Sequence, residues 1–175
     1  MNSRVKVPGS AHSDRERTHS ERTFEFLAEA PLSEVAPLFG AHQERVWAPN
    51  WDPCFIWPVP AEDRPGMVFT VSGAHGKAIW INTCFEPQNG SVQYAYVLEN
   101  AMTTLITLIL TPRGEQTHVA VTYERTALQP RADAWVMRMA DQDARAGDEW
   151  SAQINAYLRA DSRQSASTAA HSRPQ

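Results

Sequence analysis

The sequence predicts an α+β protein, in which an antiparallel sheet of about seven strands is followed by a long C-terminal helix. Two observations carry this prediction. Between residues 55 and 128, apolar side chains recur at every second position, and turns too short for a crossover separate the segments. From Pro130 onward the apolar period changes to that of a helix.

The first elements are one strand and two short helices. In SERTFEFLAEA, residues 20–30, every second position from Phe24 to Ala28 is apolar, which predicts a strand with one buried face. The first helix begins at Pro31, a residue favoured at a first helical position. Its apolar residues repeat at helical spacing: Leu32, Val35, Leu38 and Phe39. A second short helix is predicted from residue 41 to residue 47.

A segment rich in tryptophan and proline follows, HQERVWAPNWDPCFIWPVP, residues 42–60. Its four prolines exclude a regular helix and a central strand. The rings of Trp47, Trp51 and Phe55 therefore lie on an irregular connection. Two interpretations remain open: the rings plug the corner between helices and sheet, or they close the entrance to a cavity.

The remaining strands follow in succession and predict a meander. CFIWPVP has the prolines of an edge strand. After it come GMVFTVS, KAIWINTCFE, SVQYAYVLE, TTLITLILT and THVAVTYERTAL. The dipeptide Asn89-Gly90 is the strongest hairpin signal among the connections.

The C-terminal helix is predicted from Pro130 to Leu158. Its apolar residues fall in one stripe: Trp135, Val136, Met139, Ala146, Trp150, Ile154 and Tyr157. Asp143 projects into the same stripe, where an unpaired carboxylate is costly to bury. Either Asp143 leans out to solvent at the edge of the stripe, or it faces a cavity and a polar partner on the sheet, with Arg125 or Tyr123 favoured. In the second case its removal is expected to change ligand binding more than stability.

Composition sets the domain boundaries and excludes several classes of function. Residues 1–18 and 160–175 are polar and are predicted to be disordered tails around a single domain, residues 19–159. The net charge is −4, and the scattered arginines give no basic surface for nucleic acid. No apolar run is long enough to enter a membrane, and no signal peptide is apparent, so a cytoplasmic location is predicted.

The sequence contains no motif that is typical of a metal site or a cofactor site. Cys54 and Cys84 are far apart and form no metal or redox pattern, and the six histidines lack the spacing of metal ligands. Dinucleotide and phosphate-binding signatures are also missing from the sequence. We therefore predict neither a metal nor a cofactor.

The order of elements resembles the START-like superfamily, and more narrowly its SRPBCC or polyketide cyclase/dehydrase group. The resemblance is carried by FEFLAEAPLSEVAPLFG at the front and VAVTYERTAL before the last helix. It implies a helix-grip fold, in which a curved antiparallel sheet wraps the C-terminal helix and leaves an apolar cavity. Members of the superfamily bind lipids, sterols, hormones, quinone-like molecules or polyketides, and some are enzymes.

Together with the strand patterns, the resemblance predicts which residues line the cavity. On the last strand Tyr123 and Arg125 share the more apolar face, and on an earlier one Tyr94 and Tyr96 share a face. The expected cavity residues are Trp47, Trp51, Phe55, Trp80, Tyr94, Tyr96, Tyr123, Arg125, Trp135, Met139 and Asp143. Asp143, Tyr123 and Arg125 are also the candidate catalytic residues. The two faces of the Trp80 strand are equally apolar, so its orientation stays open.

Three functions are compatible with these features. The first is binding of a hydrophobic small molecule, such as a lipid, polyketide or quinone-like compound, in the cavity between sheet and helix. The alternative is a polyketide cyclase or dehydratase that uses the polar residues of the same cavity. The third is an interaction role like that of chaperone cofactors, which requires an exposed apolar patch.

Overall fold

Seven strands form one antiparallel sheet in the computed structural model, which describes residues 16–171 and side chains as far as residue 164. The strands are β1 (His19–Ala28), β2 (Cys54–Trp57), β3 (Val68–Gly73), β4 (Gly76–Glu86), β5 (Ser91–Leu98), β6 (Met102–Arg113) and β7 (Gln116–Ala127). Their order across the sheet is β1-β7-β6-β5-β4-β3-β2. The predicted meander and the predicted edge strand at CFIWPVP are confirmed.

Helical elements cover one face of the sheet. They are α1 (Leu32–Val35), α2 (Asp133–Asp143) and α3 (Ala146–His171), with 3₁₀ turns at Ala36–Phe39, Gln43–Val46, Pro87–Asn89 and Pro130–Ala132. The two short helices expected after β1 are therefore present. The second of them is a single 3₁₀ turn, Gln43–Val46, rather than a helix from residue 41 to residue 47.

The C-terminal helix is not continuous, contrary to the prediction from the apolar stripe. It breaks between Asp143 and Ala146, where the amide of Arg145 bonds the carbonyl of Gln142 instead of continuing the α-helical pattern. Two contacts with the sheet fix this position. The Asp143 carboxylate is bound by Arg125 of β7, and Gly147 lies so close to the Glu25 carbonyl of β1 that an added Cβ would be only 3.2 Å away.

The second helix also extends further than the predicted domain. α3 continues through residues 160–171, which the sequence composition assigned to a disordered tail. The predicted N-terminal tail, residues 1–18, lies largely outside the described residues, as do the last four residues of the chain.

The core is divided in the same way as the helix. The larger cluster packs β1, the inner faces of β3 to β7 and the first helical turns against Trp150, Ile154 and Leu158 of α3. A smaller cluster packs Val136 of α2 against Met102 and Ala127, where β6 begins and β7 ends. Each half of the C-terminal helix therefore has its own apolar contact surface.

The β4–β5 connection shows how a turn residue fixes the sheet. Gly90 ends the Pro87–Asn89 turn in the left-handed conformation, with φ of 69°. Its amide donates to the Pro87 carbonyl, and its carbonyl accepts from the Leu110 amide of β6. A Cβ at this position would collide with the Leu110 carbonyl oxygen. Glycine is thus required at residue 90 for both its φ and its lack of a side chain.

We expect Gly90→Ala to lower the free energy of unfolding by about 3 kcal/mol or more, because left-handed strain and a backbone collision add together. Chemical denaturation measures this change. Gly114→Ala is the matched control, since Gly114 has φ of 64° but nothing within 4 Å of an added Cβ. That variant is expected to lose only about 1–2 kcal/mol. Equal losses in the two variants would contradict the role assigned to the Leu110 contact.

Candidate ligand-binding site

A cavity of about 240 Å³ lies between the inner face of the sheet, the tryptophan-rich segment and α3. Its wall is rich in aromatic side chains. Seven aromatic side chains line it: Trp47, Trp51, Phe69, Trp80, Tyr94, Tyr123 and Trp150. Ile106 and Leu108 of β6 form its aliphatic floor.

The tryptophan-rich segment closes one side of this cavity and is itself anchored to the protein. Trp47 Nε1 donates to the Leu38 carbonyl at 2.7 Å, and Trp51 Nε1 donates to the Ala41 carbonyl at 2.8 Å. Trp47 is buried in the core against Phe39, while Trp51 stays partly exposed. The segment therefore serves both interpretations at once, as a plug at the corner and as a wall of the cavity.

Trp80 settles the orientation of β4. Its ring stacks on Tyr96 at 4.3 Å between centroids and on Phe69 at 5.6 Å, so the side chain faces inward. Its Nε1 is buried and has no hydrogen-bond partner among the described residues. An unpaired buried donor is costly unless something accepts a hydrogen bond from it, and Trp80 is one of the residues that line this cavity.

Glu44 adds an acidic group to the aromatic wall. It lies in the 3₁₀ turn Gln43–Val46, and Asp63 supports the start of that turn by accepting the His42 amide at 2.9 Å. Glu44 is partly exposed as a residue, but burial of its carboxyl raises its pKa well above the ordinary value, and the nearby Asp63 carboxylate raises it further. A carboxyl of this kind favours its protonated form until something compensates the charge.

Tyr94 joins the sheet to the end of the preceding turn, Ala36–Phe39, and to Ala41. Its hydroxyl donates to the Phe39 carbonyl at 3.0 Å and accepts from the Ala41 amide at 2.9 Å. Burial, with the Glu44 and Asp63 carboxylates nearby, raises the pKa of Tyr94 well above its usual range. The hydroxyl is therefore a neutral structural group, and the ring contributes only its apolar surface to the cavity.

Arg125 and Asp143 form a buried ion pair beside the cavity. Arg125 Nε donates to Asp143 Oδ2 at 2.7 Å and Nη2 donates to Oδ1 at 2.8 Å, with side-chain exposures of 3% and 9%. Arg125 also donates to the hydroxyls of Tyr96 and Thr104, and its guanidinium lies 4.6 Å from the Tyr123 ring centre. Burial alone would lower the pKa of Arg125, but the hydrogen bonds to Asp143 raise it above its ordinary value.

The structure brings together some of the predicted cavity residues and separates others. Trp47, Trp51, Trp80, Tyr94 and Tyr123 line the cavity. The other six predicted residues do not line it: Phe55, Tyr96, Arg125, Trp135, Met139 and Asp143.

Each of these six has a different environment. Phe55 packs outside the cavity against Phe69 and His42, and Tyr96 lies behind Trp80. Arg125, Asp143 and Met139 line a more open depression at the break between α2 and α3. Trp135 belongs to the smaller core cluster and contacts the His75 ring, 4.4 Å away.

Several cavity residues were not expected from the sequence. Glu44, Glu149 and Gln153 supply polar groups, and Phe69, Ile106, Leu108 and Trp150 supply apolar ones. Trp150 was visible in the helical stripe, and Phe69, Ile106 and Leu108 in the strand periodicity. Glu44 carried no signal, because a glutamate in the polar run HQER is indistinguishable from a solvated one.

Two further findings concern metals and membranes. Among residues 16–171, no group of three or more His, Cys, Asp or Glu side chains is arranged to hold a metal ion. Within the same part of the chain, no helix combines the length and the apolar character needed to cross a membrane.

The architecture is a helix-grip fold, as the sequence predicted. Among solved structures with this fold, the Mll3558 protein from Rhizobium loti aligns with a TM-score of 0.60 and 17% identity, over 79% of this chain and 99% of that one. Norcoclaurine synthase from Thalictrum flavum, in complex with dopamine and hydroxybenzaldehyde, aligns with a TM-score of 0.57 and 11% identity, over 82% of this chain and 94% of that one. Ara h 8.0201 aligns with a TM-score of 0.59 and 9% identity, over 81% of this chain and 99% of that one.

These similarities are at the level of the fold. No protein-family model matches the chain, and no curated protein matches its sequence.

The Arg125–Asp143 pair allows a direct test of its structural role. We expect Asp143→Asn to lower the free energy of unfolding by about 3 kcal/mol or more, because it leaves a buried guanidinium without its counter-charge. The double variant Arg125→Met/Asp143→Leu is expected to recover most of the loss, since both charges are then removed. Urea denaturation measures all three proteins.

The exposed pair Arg159–Glu29 serves as the control, with side-chain exposures of 54% and 45%. Glu29→Gln is expected to change stability by less than about 1 kcal/mol. A stable Asp143→Asn variant with weakened ligand binding would instead support the catalytic or ligand-contacting role that the sequence suggested for Asp143.

Glu44 makes stability depend on pH in a defined direction. Its pKa is raised in the folded protein, so its contribution is most favourable below the ordinary glutamate pKa and is lost as pH rises toward the folded-state pKa. We therefore expect Glu44→Gln to melt at a higher temperature than the natural protein at neutral pH. The difference should shrink as the pH is lowered to about 4.

The exposed Glu34 of α1 provides the matched control. Glu34→Gln should follow the natural protein across the whole pH range in thermal melts. A Glu44→Gln variant that melts lower at every pH would show that the carboxylate is stabilising where it lies.

Proposed function

We propose that this protein binds a compact, ring-bearing and mostly apolar small molecule in the cavity between its sheet and α3. The observation that carries the proposal is the wall of seven aromatic side chains around a cavity of about 240 Å³. Concave apolar sites with a few polar groups are the usual geometry for small-molecule recognition. Glu44, Gln153 and the free Nε1 of Trp80 supply such polar groups.

The volume narrows the ligand class. Sites for drug-sized ligands span roughly 300–1,000 Å³, so a cavity of about 240 Å³ favours one or two fused rings over a long-chain lipid. Flat ring systems also match the wall, since aromatic pairs gain energy from stacked or edge-to-face contact beyond the area that they bury. Among the ligands compatible with the sequence, small polyketide-like or quinone-like aromatics fit best.

A solved protein of the same fold supports this size class. Norcoclaurine synthase from Thalictrum flavum has been solved in complex with dopamine and hydroxybenzaldehyde, two single-ring molecules. The helix-grip architecture is therefore able to hold compact aromatics. At 11% identity the comparison supports the kind of ligand and leaves its identity to experiment.

Filling the cavity tests the proposal. We expect an environment-sensitive aromatic dye to bind saturably and to be displaced by compact bicyclic aromatics, but not by long-chain fatty acids. Leu108→Trp should abolish binding, because the side chain at residue 108 points into the cavity. Ile109→Trp, on the exposed outer face of the same strand, should bind as the natural protein does.

Thermal melts of both variants separate loss of the cavity from loss of the fold. Absence of saturable binding by any compact aromatic, with a folded natural protein, would overturn the proposal. Recovery of the bound molecules unchanged distinguishes binding from the enzymatic alternative. In that alternative the acid or base would be Glu44, because Arg125 already occupies both oxygens of Asp143.

A further inference from the structure

The charges around the cavity are all of one sign. Glu44 and Glu149 line it, and no lysine, arginine or histidine does so among the described residues. The neighbouring Arg45 points away, toward the Pro53 carbonyl and Asp52. Arg125, on the other side of Tyr123, is neutralised by Asp143. A ligand in this cavity therefore meets acidic groups without competing cations.

The aromatic walls favour the same kind of ligand. Trp47 and Trp150 meet edge to face, with ring centres 5.6 Å apart and planes at 67°. Trp51 and Trp80 meet in the same way, at 5.5 Å and 83°. Indole rings from the tryptophan-rich segment, the sheet and α3 therefore border the cavity together. The face of an indole ring is electron-rich and attracts a cation, most strongly where water is excluded.

We propose that the molecule bound in this cavity carries a positive charge, as a substituted ammonium group on a compact aromatic body, and that Glu44 is its counter-ion. This inference rests on the proposed function, since it concerns the same cavity. The tryptophan rings contact the ammonium substituents and the aromatic body. Glu149, at the exposed rim on α3, attracts the cation toward the opening.

The protonation of Glu44 gives this proposal a measurable signature. Titratable groups face Glu44 from four parts of the structure, namely Asp63, Tyr94, Tyr123 and Glu149, and none of them supplies a positive charge. Burial raises the pKa of Glu44, so the carboxyl keeps its proton to higher pH in the empty cavity. A fixed cation favours the ionised form, and its binding therefore releases that proton.

The experiment compares two molecules of the same shape, phenyltrimethylammonium and tert-butylbenzene, as competitors of the bound dye. We expect the cation to bind at least about tenfold more tightly than its neutral isostere. Its affinity should rise with pH until Glu44 is ionised in the free protein and then stay level. The affinity of tert-butylbenzene should not depend on pH in this range.

Variants assign the preference to Glu44. Glu44→Gln should weaken binding of the cation by about tenfold or more, remove its pH dependence and leave the affinity of tert-butylbenzene within about twofold. Glu34→Gln, an exposed substitution of the same kind on α1, should leave both affinities unchanged.

The outcomes separate this inference from the proposed function. Equal or tighter binding of tert-butylbenzene would overturn the charge preference and leave the aromatic-binding function standing. Binding of other neutral aromatics, with neither isostere bound, would do the same. If no compact aromatic binds, charged or neutral, both proposals fail. A preference for the cation that survives in Glu44→Gln would overturn the assignment of Glu44.

Discussion

The bidentate contact between Arg125 and Asp143 determines where the C-terminal helix breaks, and the cavity depends on that break. α2 packs on the small cluster where β6 begins and β7 ends, whereas α3 packs on the large cluster that includes β1. The pair joins the last residue of α2 to β7 at 2.7 and 2.8 Å. Beyond the break, Trp150 of α3 contacts Phe24, Phe39 and Trp47 and closes the cavity.

Arg125 and Glu44 differ in whether their charges are compensated. Arg125 has a carboxylate, two hydroxyls and an aromatic ring around it, so its desolvation is compensated. Glu44 has neither a hydrogen bond nor an ion pair for its carboxyl among the described residues, and the nearby Asp63 disfavours its charge. An unpaired carboxyl with a raised pKa that lines a cavity is a candidate functional group.

Much of the fold could be predicted from the sequence, because the relevant signals are local. Period-two patterns located the strands, short turns required antiparallel neighbours, and Phe24, Phe26 and Ala28 of β1 are buried as their alternation predicted. The same signals failed where tertiary contacts override them. The bulge between Asn82 and Cys84 in β4 shifts the register, so that Phe85 joins the core while Ile79 and Ile81 are exposed.

The helix break shows the same limit. Ala144 and Arg145 are good helix formers, and apolar residues continue at helical spacing on both sides of them. Only the contacts of Asp143 and Gly147 with the sheet reveal that the two halves separate. The sequence singled out Asp143 correctly as a carboxylate in an apolar stripe. It could not show that Arg125 engages both of its oxygens.

The candidate site is distinguished by an unpaired carboxyl, that of Glu44, whereas the carboxylate of Asp143 is paired with Arg125. In the sequence, a polar residue draws attention when it lies within an apolar pattern, as Asp143 does. A charged residue that is buried with a partner produces the same pattern, so the pattern alone does not identify a ligand-binding group. Glu44 produces no conflict in sequence, because the turn that carries it is polar throughout. It becomes distinctive only in the folded protein, where Trp47 and Trp51, anchored by hydrogen bonds to Leu38 and Ala41, line the same cavity as Glu44. The burial that raises the pKa of Glu44 and the aromatic side chains that would bind the ligand thus belong to the same cavity, so a change in its shape is expected to affect both.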